Sequence, residues 1–96
     1  MKPGGDARLF DNDEPAYLAW VQSDPGGFVA NMDRAGCVPQ YPMVHRATHA
    51  VVSSPWIGNF TTGAYVKVCA GELEALEADL RSRYGRPVTR CRVCMR

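Results

Sequence analysis

Cys91-Arg92-Val93-Cys94 constrains the fold of this chain more than any other stretch. Two thiols separated by two residues form a knuckle that grips one metal ion from one side, and a tetrahedral site then needs two further ligands. Those ligands have to come from upstream, so the chain must fold back on itself to close the site. The candidates are His45 and His49, in His45-Arg46-Ala47-Thr48-His49, with Cys69 as the alternative to His45 for the fourth position. Cys37 lies in a Gly/Pro loop with no histidine beside it and reads as a bystander. The competing readings are reduced surface cysteines beside ordinary polar histidines, or a redox dithiol. The dithiol wants its cysteines at a helix N-terminus, whereas these follow a helix.

A staple of this kind suits the size of the chain. Its 96 residues make a single domain, 1–96. A domain of that length buries only roughly 60–65% of the surface its unfolded form exposes, and small domains commonly recruit a metal to supply the missing stability. With 46% hydrophobic and 22% charged residues the composition is that of a folded protein. Net charge is +1, but the charges are segregated. Residues 1–33 carry six acids (Asp6, Asp11, Asp13, Glu14, Asp24, Asp33) against Lys2 and Arg8, whereas residues 80–96 carry six arginines and no acid. No apolar run approaches the ~20 residues needed to span a bilayer, and residues 1–6 lack the apolar core of a signal peptide. A cytoplasmic location is expected. The four cysteines are then thiols or ligands rather than disulfides, and the sequon Asn59-Phe60-Thr61 is a chance match.

Taken in order, residues 1–12 are rich in Gly and Asp and read as loose. Asp13 is placed to cap a helix with Glu14 and Pro15 in its first turn, burying Tyr17, Leu18 and Val21 with Trp20 alongside. Asp24-Pro25-Gly26-Gly27 turns the chain into a strand over 28–31, and 32–42 is an irregular loop. Residues 44–52 have β-branched content and read as an extended segment that bends around 46–48, turning both histidines to one point. Residues 53–63 form an exposed loop with Trp56 and Phe60 as possible anchors. Residues 64–69 are the clearest strand. The best helix follows, with Gly71 at the N-cap position, Leu73, Leu76, Leu80 and Tyr84 on its buried stripe, and Gly85 as its stop. Glu77–Arg81 and Asp79–Arg83 are expected on its wet side. The prediction is a small α+β domain: a short antiparallel sheet with an N-terminal and a C-terminal helix, its zinc-binding core lying within 43–96.

On these residues a resemblance rests. The run 43–94 resembles the small zinc domain of Ada-type DNA-repair methyltransferases. It is also similar to shorter modules of bacterial and phage proteins that read His-Arg-Pro-x-Cys, a strand, a helix and a final Cys-x-x-Cys. The counterparts are His45-Arg46-Ala47-Thr48-His49, Tyr65-Val66-Lys67-Val68, the helix 72–84 and Arg90-Cys91-Arg92-Val93-Cys94. Position 49 is histidine where the family has cysteine, and 50–90 is longer than in the short modules. Ada-type domains accept a methyl group on a cysteine at the first ligand position, which here is His45. The resemblance therefore implies zinc and a DNA-facing surface, without methyl transfer.

Other chemistry finds little support. No acid neighbours a ligand in sequence to serve a catalytic metal, a nucleophile pair of Cys69 with either histidine has no motif, and Pro25-Gly26-Gly27 precedes a strand, which is the wrong context for a phosphate loop. The expectation is a non-catalytic module with one structural Zn2+ on His45, His49, Cys91 and Cys94. It would bind DNA or RNA through Arg46, Arg81, Arg83, Arg86, Arg90 and Arg92, with aromatics such as Trp56, Phe60 and Tyr65 as a stacking surface. The alternative is a small phage- or host-encoded regulator that docks on a protein through the acidic N-terminal helix and exposed aromatics. Neither a membrane nor a small-molecule substrate is expected.

Overall fold

The computed structural model describes residues 7–54 and 56–95. The elements are β1 (Arg8–Phe10), α1 (Glu14–Ser23), β2 (Phe28–Asp33), β3 (Met43–Arg46), α2 (Ala50–Ser53), β4 (Tyr65–Ala70), α3 (Leu73–Tyr84) and β5 (Thr89–Arg90). The fold is α+β, with one five-stranded sheet in the order β1-β4-β2-β3-β5. All pairings are antiparallel except that of β3 with β5. No helix among the described residues is long and apolar enough to cross a membrane.

Alternation along the strands sends side chains to two separate cores. On one face Phe10, Val29 and Cys69 meet Tyr17 and Val21 of α1, together with Ala47, Val52 and Phe60. On the other, Ala30, Val44, Val68 and Ala70 are covered by Leu76 and Leu80 of α3. Both leucines are fully buried, each stabilising the fold by about 1.5–3 kcal/mol. Because helices cover both faces, β4 and β2 read as near-continuous buried runs rather than as a two-period alternation.

Several local expectations are corrected. Arg8–Phe10 is not loose: it pairs with 67–69 of β4 as an edge strand, and Phe10 is buried against Tyr17. Residues 1–6 of the stretch expected to be loose lie outside the described residues, as do Pro55 and Arg96. Asp13 is the N-cap of α1 by position, but its side chain makes no capping bond. The neighbouring Glu14 reaches across instead. Its carboxylate accepts the backbone N–H of Phe60 (2.7 Å) and Thr61 (2.8 Å) and the Thr61 hydroxyl (3.0 Å). The segment after Arg46 is not extended; it turns at 47–49 into the single helical turn α2. At α3 the N-cap falls on Glu72, one residue beyond Gly71, and Gly85 closes the C-terminus in the left-handed conformation (φ 64°).

Candidate metal centre

Each ligand is positioned by a different piece of local structure. His45 sits on β3 opposite Val29 and points to the α1 face, where it is 6% exposed. His49 occupies the N-cap position of α2, in a turn held by the His49 N–H to the Arg46 carbonyl (3.0 Å). Ser53 donates back to the His49 carbonyl (2.9 Å), and the buried Tyr17 hydroxyl donates to the Val52 carbonyl, so α1 fixes α2 against the sheet. Cys91 and Cys94 follow β5. The Thr89 N–H to Pro42 O (3.0 Å) and the Cys91 N–H to Val44 O (2.9 Å) lay that segment along the edge of β3. A short parallel pairing invisible in the sequence thus delivers the knuckle to the histidines.

The four side chains His45, His49, Cys91 and Cys94 converge, with their ligand atoms all within 4.8 Å of one another. The Nδ1 atoms of the two histidines are 3.4 Å apart, and Cys91 Sγ lies 3.9 Å from His49 Nδ1. Backbone donors surround the sulfurs: Val93 N–H to Cys91 Sγ (3.4 Å) and Arg46 N–H to Cys94 Sγ (3.3 Å). Such outer donors orient ligands and favour thiolates. Burial raises the Cys91 thiol, but the N–H groups of Cys94 and Val93 and the neighbouring Cys94 thiol outweigh it and hold Cys91 below the usual range. Cys94 is raised by burial and by the adjacent Cys91, against the Arg46 N–H. Burial, then the nearby His49 and Lys67 charges, push His45 down to about 4. At neutral pH His45 is therefore an uncharged imidazole, the form that binds a metal. The arrangement is compatible with a single metal ion.

Cys69, the alternative fourth ligand, lies outside the cluster. It is fully buried on β4, opposite the same Val29 that faces His45 from the other side, so the whole of β2 separates it from the site. That is two strand spacings, about 9–10 Å. Burial pushes its thiol up, as expected for a small core residue. Cys37 is exposed and outside the cluster.

The expected nucleic-acid residues have structural partners. Arg46 Nε donates to the Cys94 carbonyl (2.7 Å), and its guanidinium lies over Phe28 at 5.7 Å. Arg90 grips Glu77 through two bonds of 2.7 and 3.1 Å. Glu77, expected on the wet side of α3 with Arg81, is instead buried, and Arg81 reaches it only at 4.0 Å. Arg83 pairs with Asp79 at 2.9 Å, as expected. Arg86 donates to the Gly36 and Val38 carbonyls (3.5 and 3.1 Å). Arg92 is exposed on the knuckle itself. Of the proposed stacking residues, Phe60 is core, Tyr65 is 37% exposed and Trp56 is 92% exposed.

One residue of evident importance escaped the sequence reading. Lys67 is 4% exposed in the middle of β4. Its signal was the run Val66-Lys67-Val68 inside a strand with cores on both faces, where a lysine has to point inward. No family model, curated protein or solved structure matches this chain.

Proposed function

We propose that this chain is a non-catalytic module stapled by one structural Zn2+ on His45, His49, Cys91 and Cys94. The observation that carries the reading is the spacing of the ligand atoms. A tetrahedron with Zn–N of about 2.0–2.1 Å and Zn–S of about 2.3 Å sets its nitrogens about 3.3 Å apart and nitrogen from sulfur about 3.6 Å. The 3.4 and 3.9 Å separations lie within a few tenths of an ångström of these values, and the widest separation in the set, up to 4.8 Å, needs a contraction of about 1 Å on binding. Two thiolates and two imidazoles are the donor set of a closed structural site, and their two negative charges neutralise the ion. Native mass spectrometry of protein purified without added metal tests the reading: one zinc per chain, lost in His45→Ala and kept in Cys69→Ala. A metal-free, cooperatively folded wild type would defeat it.

The proposed partner is nucleic acid, met on the α3 side of the sheet and around the knuckle. Bonds to carbonyls leave the charges of Arg46 and Arg86 intact, while Arg81 and Arg90 share the single carboxylate of Glu77. That local excess of positive charge supports the reading. Arg90 and Arg46 are poor test sites, because their removal disturbs Glu77 and Cys94. Arg81→Ala is the milder test, since Arg81 is exposed and reaches Glu77 only at 4.0 Å. The slope of log K against log salt should fall by about one for each phosphate contact removed; an unchanged slope argues against it. A protein partner is the second reading, favoured by the exposed Val51, Trp56 and Ile57. Binding of that kind is far less sensitive to salt and weakens in Trp56→Ala.

A further inference from the structure

Beside the cluster, the sheet opens into a cavity of about 550 Å³ that His45 also lines. Pockets of about 300–1,000 Å³ are the usual size for small-molecule ligands. Tyr41 and Tyr65 form an aromatic wall, their rings edge to face at 5.8 Å, and the exposed Val51 and Ile57 form the rim. Its floor holds Lys67. The Lys67 ammonium donates to Asn31 Oδ1 and to the Phe60 carbonyl, both at 2.7 Å. An ammonium has three N–H donors, so these two contacts leave one. Among the described residues no carboxylate forms an ion pair with Lys67. Glu14, the acid whose field reaches it, has its oxygens committed to Phe60 and Thr61.

A buried ammonium with an open N–H and no carboxylate in contact is incompletely compensated, and an anion that reaches it is favoured. We infer that this cavity is a binding site for a small carboxylate with an apolar or aromatic body, its carboxylate received by Lys67 and its body packed between the tyrosine wall and the Val51–Ile57 rim. Burial, opposed by the Glu14 carboxylate, lowers Lys67 to about 8, so it is still mostly charged at neutral pH. An arriving anion would hold it so. Met43, Val52 and Phe60 add apolar lining beside the polar Gln40, His45 and Asn59, and among the described residues no acid lines the cavity, which suits a ligand with one anionic end and an apolar body. The site uses none of the arginines of the α3 side and is independent of the proposed partner.

The test is an amide-resolved NMR titration of the metal-loaded chain with phenylacetate, with phenylacetamide as the uncharged control. Saturable shifts centred on Asn31, Ile57, Tyr65 and Lys67 are expected, with a Kd on the order of 1 mM. Phenylacetamide should bind at least about tenfold more weakly, and Lys67→Met should weaken phenylacetate to the same degree. Should Lys67→Met fail to fold, the acid–amide pair on the wild-type chain decides alone. No saturable shift by about 10 mM, equal binding of acid and amide, or shifts centred on the α3 arginines would each overturn the inference. Zinc retention is followed in the same samples, so loss of the metal reading is seen separately from loss of this one.

Discussion

Lys67 and Cys69 stand two residues apart on β4 and face the same side of the sheet, yet only Lys67 brings a charge there. Cys69→Ala should keep its metal and lose about 1 kcal/mol in a denaturant melt, because Cys69 is packing rather than a ligand. Loss of zinc in that variant would reverse the assignment. Glu14 yields a prediction with a pH signature. Burial raises its carboxyl, but the N–H groups of Phe60 and Thr61, the Thr61 hydroxyl and the Lys67 charge outweigh that and leave it lowered. A group lowered in the folded state contributes stability above its unfolded value and loses it as pH falls through the folded value. Glu14→Gln should therefore cost about 1–2 kcal/mol at neutral pH, with the gap to wild type closing below roughly pH 4.5. A gap independent of pH would show that the carboxylate charge is not what caps residues 60–61. At this scale the sequence revealed the four side chains that converge, since Cys-x-x-Cys and the paired histidines are local patterns. It hid Glu14, Glu77 and Lys67, whose partners are distant in the chain.

The elements that close the site are the shortest ones. α2 is one turn and β5 is two residues, too short for any periodicity to show, and β1 is three residues in a stretch that composition alone marks as loose. Their formation depends on tertiary contacts: Tyr17 to Val52 for α2, β3 for β5, and β4 for β1. The long elements were legible because α3 has its leucine stripe and Gly85, and β4 its β-branched core. Phe10→Ala tests the edge strand. Truncating a buried phenylalanine should destabilise the fold by about 3 kcal/mol, whereas a loose N-terminal segment would show almost no change in the melt. Arg90→Ala tests the link between α3 and the knuckle. It leaves Glu77 buried without its close partner and frees β5, so the thermal midpoint should fall and chelators should strip the metal faster. Unchanged metal retention would mean that the β3 contacts alone hold the knuckle.

Over the whole molecule, the sheet has two independent cores and one corner where three short elements meet, and the four ligands lie at that corner. Under the proposed reading a metal there would tie β3, α2 and the segment after β5 into one unit and supply stability that so thin a domain otherwise lacks. The α+β class followed from the order of the long elements; the five-stranded order and the parallel β3–β5 edge did not, because register between distant strands leaves no local trace. X-ray absorption at the zinc edge on protein purified without added metal tests the central claim most directly. The account predicts a first shell of two sulfurs at about 2.3 Å and two imidazole nitrogens at about 2.0–2.1 Å. A shell with three sulfurs, an oxygen-rich shell, or a folded chain that carries no zinc would contradict it.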